Sequence, residues 1–438
     1  MVEPATGEPA EGEPTGGAPT DRDRFDQLVR SSSGHVRATL IRQLGDFDLA
    51  EEGLADALLL AAEHWPVDGF PDHPEAWLLT VARRRAIDRV RRERDRDARH
   101  RTAHRLDEVR TADDGVIAEE RWRSGVDDDR LRLIFTCCHP ALGLDAQIAL
   151  TLATVTSLTV PQIARAFLVP HTTMAQRLVR AKRKIRLAGI PYRVPSGHEL
   201  PDRLAGVLRV IYLVFNEGYL ASVGDGPQRS ALAEEAIDLG RLLHQLMPDE
   251  PEVDGLLALM LVHHARRDAR FDETGDLILS EDQDRNRWHR AELDEGEAMI
   301  GAALARRSPG RYQIQAAIAV LGCAGASPAE TDWRQIAALY GELHRFEPTP
   351  VVELNRAAAI GLAGDLPTAL AIADRLAAGP LASSHLAHAL RADLLRRADR
   401  FGEARRAYEA AAPLATSAVE QRFLQARIDE LDLVIGPS

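Results

Sequence analysis

Cysteine, aromatic residues and long apolar runs are all scarce in this 438-residue chain. Its three cysteines cannot form a disulfide framework, because two of them, Cys137 and Cys138, are adjacent and neighbouring cysteines rarely meet disulfide geometry. Neither a signal-peptide pattern nor a run of about 18 apolar residues occurs. We therefore expect a cytoplasmic protein with no membrane partner.

Strand patterning is also nearly absent, whereas Ala, Leu, Arg and Glu, which favour helices, dominate. The fold class predicted is all-α, and 438 residues suggest two to four domains. No His-Glu-x-x-His spacing, Gly-rich phosphate loop or nucleophile elbow occurs. We expect neither an enzyme nor a bound cofactor.

The formal net charge of −13 is unevenly distributed. Eight Lys or Arg and no Asp or Glu lie in residues 160–193, and seven Arg lie in residues 81–94. Residues 200–438 hold 25 basic and 36 acidic residues. Two basic stretches suited to nucleic acid thus precede an acidic segment that cannot add DNA affinity by charge.

Composition and turn residues divide the chain into five segments. Residues 1–22 predict a disordered tail, residues 23–95 a helical domain and the charge-dense residues 96–127 a linker. Breaks between the helices of residues 23–95 are predicted at Gly45-Asp46 and across Pro66 to Pro74. Residues 128–192 predict a second helical domain, and prolines then lead into a third over residues 200–438.

An internal repeat is visible in the last segment. Residues 357–369 and 392–404 align at an offset of 35 residues, with Gly364 opposite Asp399 at the turn. Small residues flanking a turn at a period of about 34 are typical of tetratricopeptide-like helical hairpins. We predict two such hairpins.

The most specific local pattern begins at Thr159. Thr159 and Gln162 form a capping-box pair, so a short helix should run from about Val160 to before Pro170. A second, strongly basic helix should begin near His171. Its inward stripe is expected to be Met174, Leu178, Ala181 and Ile185. The pattern predicts a helix-turn-helix, with a basic surface helix of a bundle as the alternative.

The second helix of such a motif enters the major groove, with base edges near its start and phosphates near its later cations. Its candidate DNA-binding residues are His171, Thr172, Thr173, Gln176, Arg177, Arg180, Lys182, Arg183 and Lys184. An earlier Arg-rich helix supplies the candidates Trp77, Arg83, Arg84, Arg85 and Arg89. The alternative there is an exposed helix with internal salt bridges, such as Arg84 with Asp88.

The order of these elements resembles RNA polymerase sigma factors of the extracytoplasmic-function (ECF) type, which keep regions 2 and 4 joined by a short linker. Residues 48–56 resemble the acidic region 2 helix that docks on the β′ clamp. Residues 77–92 resemble the helix that opens and reads the −10 element, and residues 171–186 the −35 recognition helix. The resemblance implies core-polymerase binding by Asp48, Glu51, Glu52 and Asp56. The sequence departs from the usual pattern at Gly53 and Ala55.

Further segments resemble the sigma subgroup with a fused tetratricopeptide-like C-terminal domain. They are residues 131–142, 175–186, 214–219 and 281–288. The resemblance implies binding to core RNA polymerase (β′ clamp and β flap) and promoter DNA, promoter-specific transcription initiation, and modulation by the C-terminal domain. A small YCII-related protein is an implied regulatory partner. The alternative is a helix-turn-helix regulator with a tetratricopeptide-like sensor domain. Such a regulator would not need the region-2-like segment.

Two clusters have other chemical interpretations. Cys137, Cys138 and His139 could suggest a metal site or a redox switch, but no second ligand pair of a zinc site lies nearby, and we expect buried thiols. The acidic loop from Phe271 to Trp288, with nearby histidines, could hold a cation or a basic peptide, but a solvated surface or an interdomain contact is the stronger expectation. We also expect the first C-terminal helix to pack on the domain before it. The apolar run expected to face inward there is Val207, Leu208, Ile211, Tyr212 and Phe215.

Overall fold

The computed structural model describes residues 21–435 with several gaps. These gaps are residues 101–128, 157, 168, 196–197, 220–226, 273–275, 277, 280, 326 and 416–417. The regular structure within the described part is helical and contains no strand, which confirms the all-α prediction. No helix there is long and apolar enough to cross a bilayer. The chain divides into two compact units, residues 1–133 and 134–438.

Three long helices make up most of the described part of the first unit. They are α1 (Asp21–Leu44), α2 (Phe47–Asp68) and α3 (Pro74–His100). The predicted break after α1 is confirmed, since Gly45 has a φ of +67° and Asp46 caps α2 by accepting from the Asp48 backbone N–H at 2.8 Å. The predicted break between α2 and α3 is likewise present, but it begins at Gly69, because α2 continues through Pro66 to Asp68.

Two predicted boundaries differ from the structure. Helix α1 begins inside the segment predicted as a tail, and α3 continues into the segment predicted as a linker. The Arg-rich continuation of α3 consists of good helix formers, so the lack of an apolar stripe does not end the helix. Residues 1–20 and 101–128, which hold the rest of the predicted tail and linker, lie outside the described residues.

Helices α2 and α3 approach each other closely. A Cβ on Gly53 would lie 2.6 Å from the carbonyl oxygen of Ala82, and Ala82 and Ala86 are fully buried. An aromatic cluster closes one end of the pair, where the Trp65 ring lies 5.4 Å from Trp77. The small residue at position 53, which departs from the resembled pattern, is therefore required by helix packing.

The described chain from residue 129 onward is also built of helices, and the first of them begins in the last residues of the first unit. Residues 129–137 form α4, and the remaining helices are α5 (Leu144–Val155), α6 (Val160–Ala166), α7 (His171–Leu187), α8 (Leu200–Tyr219), α9 (Pro227–Leu246), α10 (Pro251–His264), α11 (Arg290–Ala305), α12 (Arg311–Cys323), α13 (Trp333–Phe346), α14 (Pro350–Leu362), α15 (Leu366–Ala377), α16 (His385–Arg397), α17 (Phe401–Ala411) and α18 (Ala418–Ile435).

The predicted helical hairpins are α14 with α15 and α16 with α17, and each pair is in contact. Gly364 and Asp399, the aligned turn residues, both have positive φ, at +100° and +57°. The equivalent inward residues Ala373 and Tyr408 are buried. The structure thus confirms the repeat unit predicted from the 35-residue offset.

The packing of α2 on α3 yields the first prediction. Replacing Gly53 by Val should destabilise the first unit by about 1–3 kcal/mol, because the added side chain must push against a backbone carbonyl. Hydrogen exchange of α2 and α3 amides measures this locally, without assuming two-state unfolding of the whole chain. The control is Ala55→Val on the exposed face of α2, and equal protection in both variants would contradict the packing argument.

Candidate functional site

Helices α6 and α7 pack against each other and have the bounds that the sequence predicted. The backbone N–H of Thr159 donates to Oε1 of Gln162 at 2.8 Å, which fixes the start of α6. The predicted inward stripe of α7 is confirmed, since Met174, Leu178, Ala181 and Ile185 are all buried.

The opposite face of α7 carries the cations. We call the exposed residues Gln176, Arg180, Arg183 and Lys184 the basic face. Arg183 and Lys184 have no carboxylate partner within the described part of the chain, so their charge is directed to solvent. At the start of α7, His171 and Thr172 are exposed and Thr173 is half-buried. This end of the helix is open to a macromolecule.

Two α7 candidates are placed differently from the rest. Lys182 is buried, with 9% relative exposure, so it does not fit the expected phosphate contact. It lies four residues after Leu178 and three before Ile185, which places it beside the buried stripe. Arg177 is half-buried and forms an ion pair with Asp145 of α5 at 3.6 Å.

The first two helices of the C-terminal part, α8 and α9, pack against α5 and α6. Helix α8 contacts α5 and α9 contacts α6, which confirms the expected packing of the first C-terminal helix on the preceding domain. The guanidinium of Arg203 donates to the Phe135 carbonyl oxygen at 2.6 Å. Within the expected inward run, Tyr212 instead lies against Tyr312 at 5.6 Å, deeper in the C-terminal helices. The basic face of α7 stays exposed in this arrangement.

The adjacent thiols are structural, as expected. Cys137 and Cys138 are buried, and their sulfurs lie 3.2 Å and 3.5 Å from the hydroxyls of Thr154 and Thr151. Burial raises the pKa of Cys138 to about 11, which leaves it a neutral thiol at physiological pH.

In the first unit, two groups of candidates turn out to be partners of each other. Arg89 of α3 pairs with Glu52 at 2.5 Å and with Asp56 at 3.1 Å, both from α2. The nearby Glu52 carboxylate raises the pKa of Arg89. Part of the acidic surface predicted to face polymerase is thus neutralised within the unit, a long-range pairing that no sequence spacing indicated.

The remaining candidates of the first unit are mostly accessible. Asp48 and Arg84 are exposed, whereas Glu51, Arg83 and Arg85 are half-buried. Trp77 is half-buried in the aromatic cluster beside Trp65. Arg84 forms no ion pair with Asp88 among the residues described, so the salt-bridged alternative for this pair does not hold.

The acidic loop before α11 serves as an internal contact. Glu281 pairs with Arg397 of α16 at 2.9 Å, and Asp276 pairs with Arg422 of α18 at 2.6 Å. Trp288 is buried, and the guanidinium carbons of Arg266 and Arg285 lie 5.3 Å and 5.0 Å from the centre of its ring. Within the described residues no group of three or more His, Cys, Asp and Glu side chains is placed to hold a metal ion.

The histidines near this loop have their own partners. Burial lowers the pKa of His263 to about 3, and its ring lies 5.3 Å from that of Tyr219. His264 pairs with Glu292 at 3.0 Å, and His289 pairs with Asp268 at 2.7 Å. These contacts account for the histidines as packing residues.

Comparison with known proteins places these features in a family. Residues 28–96 match the family Sigma-70 region 2, and residues 203–304 match DUF6596, a family of unknown function. "Uncharacterized protein R00370" of Rhizobium meliloti (strain 1021) is 42% identical over 411 residues, covering 94% of this chain and 96% of the relative. The chain belongs to that protein's family. It carries a sigma-70 region 2 domain in its first unit, which supports a sigma factor.

Among solved structures, yeast Tom70 is 12% identical in sequence, and the alignment covers 94% of this chain and 84% of the Tom70 chain. Its TM-score of 0.33 is too low to indicate a shared fold. The assignment of the helical hairpins therefore depends on the helices of this chain alone.

Proposed function

We propose that this protein is a non-enzymatic sigma factor of the extracytoplasmic-function type. It binds core RNA polymerase through the acidic face of α2 and directs it to promoters. The match of residues 28–96 to sigma-70 region 2 carries the proposal, because a plain helix-turn-helix regulator has no use for such a domain.

In this proposal α6 and α7 form the region 4 helix-turn-helix. The exposed basic face of α7 supplies phosphate contacts, and the open start of the helix supplies base contacts in the −35 element. The Arg-rich surface of α3 acts on the −10 element, where cations suit both duplex and single strands. Arg89 is better assigned to positioning α2 than to DNA.

The tetratricopeptide-like C-terminal domain modulates initiation in this proposal by holding region 4. Its contact with α5 and α6 leaves the basic face of α7 exposed, so a supporting role fits better than occlusion. A YCII-related protein remains a proposed regulatory partner, which would act through this domain.

The first test concerns polymerase docking. The double variant Glu52→Lys, Asp56→Lys should not co-elute with core polymerase, because it reverses the docking charge. It also breaks the pairing with Arg89, so the triple variant with Arg89→Glu serves as the control that restores pairing with opposite polarity. We expect the triple variant to fold as the wild type and still fail to bind core. Normal co-elution of the triple variant would show that these acids act only within the unit.

The second test concerns DNA. Arg177→Ala should weaken promoter binding by about 1–3 kcal/mol and relax the base preference at one −35 position. This loss is counted beyond any effect of losing the ion pair with Asp145. Lys184→Ala should weaken binding to all DNA sequences equally. It should also lower the slope of the logarithm of the binding constant against the logarithm of salt concentration by about one. Val179→Ala on the same helix is the control. Equal, sequence-blind losses in both variants would make Arg177 a phosphate contact.

The third test concerns modulation. Arg203→Gln removes the guanidinium that donates to the Phe135 carbonyl and should lower run-off transcription, because region 4 loses support. Arg209→Gln, on the exposed side of α8, should leave it unchanged. Truncation at Ser196 should lower transcription further. A rise in transcription after either change would mean that the domain hides region 4, and no change would remove its modulatory role.

A further inference from the structure

A cleft of about 260 Å³ opens inside the second unit. It lies between the loop before α11 and helices α12, α14 and α16. Most of its wall is apolar, and the apolar residues are Leu279, Trp333, Ala358, Leu362, Leu390 and Leu394. We infer that this cleft binds a small carboxylic acid with an apolar body, whose carboxylate pairs with Arg285. The inference does not depend on the proposed role in transcription.

Arg285 is a cation of this cleft that forms no ion pair among the described residues. Its Nη1 donates to the carbonyl oxygens of Ala324 at 3.1 Å and Gly325 at 2.6 Å, and its guanidinium stacks on Trp288. Its Nε is buried and has no hydrogen-bond partner. Within the described residues no carboxylate pairs with it. A half-buried cation without a counter-charge is costly, and an anionic ligand would remove that cost.

The second cation of the cleft shows the contrast. Arg397 pairs with Glu281 at 2.9 Å and with Asp393 at 2.7 Å, so its charge is already compensated. Those two carboxylates also line the cleft. They would repel a multiply charged anion such as a phosphate dianion. The arrangement therefore favours a ligand with a single negative charge.

Gly322 gives independent support. It lines the cleft near the end of α12, and a Cβ built on it would meet nothing within 4 Å. Glycine is among the poorest helix formers, and no neighbouring atom requires it at this position. The main structural effect of a larger side chain here would be to fill the cleft. The glycine thus keeps open a space that packing does not need.

Size and shape restrict the ligand further. A guanidinium matches the planar, bidentate geometry of a carboxylate. A volume of about 260 Å³ is below the roughly 300 Å³ at which pockets for drug-sized molecules begin. A medium-chain or aromatic monocarboxylic acid fits both limits.

The test uses the full-length protein and isothermal titration calorimetry. Octanoate and phenylacetate are the probes, and octanamide and phenylacetamide are their neutral matches. We expect at least one carboxylate to bind with one-to-one stoichiometry, at least tenfold more tightly than its amide. Arg285→Gln should remove that preference. Arg287→Gln, an exposed arginine of the same turn that does not line the cleft, should keep it.

Gly322→Leu is the second variant, and it separates occupancy of the cleft from folding. It should abolish binding of either probe while leaving the unfolding temperature equal to or above that of the wild type. Three results would overturn the inference. They are failure of both carboxylates to bind the wild type, undiminished binding to Gly322→Leu, and equal losses in Arg285→Gln and Arg287→Gln.

Discussion

Close approach of helix backbones at small residues is the constraint on which both units depend. A Cβ on Gly53 would lie 2.6 Å from the Ala82 carbonyl oxygen, and one on Gly255 would lie 2.6 Å from the Gln313 backbone nitrogen. Helices this close leave little room for large side chains between them, so alanine fills the crossings. The scarcity of aromatic residues and the abundance of alanine in the sequence follow from this one requirement.

Narrow packing stripes also determine what the surface can do. Helix α7 needs only a stripe such as Met174, Leu178 and Ile185 to hold it in place. The rest of its circumference is then available for cations, and Arg183 and Lys184 point to solvent without a carboxylate partner among the described residues. A helix that packed through broad aromatic contacts could not present so large a basic face.

Local periodicity predicted much of this structure. The start of α6 follows from a capping pair, the buried face of α7 follows from its apolar stripe, and the hairpins follow from an offset that aligns Gly364 with Asp399. The pairing of Arg89 with Glu52 and Asp56 could not be predicted, because it joins residues on two helices with no fixed spacing. The burial of Lys182 is consistent with its position beside the apolar stripe, whereas the number of cations in the segment carries no information on burial.

Net charge does not determine how the C-terminal helices meet the basic segment. Acidic residues of this region are engaged internally, as Glu281 with Arg397 and Asp374 with Arg391 show. The contact with the preceding helices instead uses the packing of α8 on α5 and the hydrogen bond from Arg203 to a backbone carbonyl. At physiological salt, interactions between exposed charges more than about 8 Å apart are largely screened, whereas buried packing is hardly affected. A higher ionic strength should therefore weaken contacts made by the basic face of α7, while the packing of α8 on α5 stays in place.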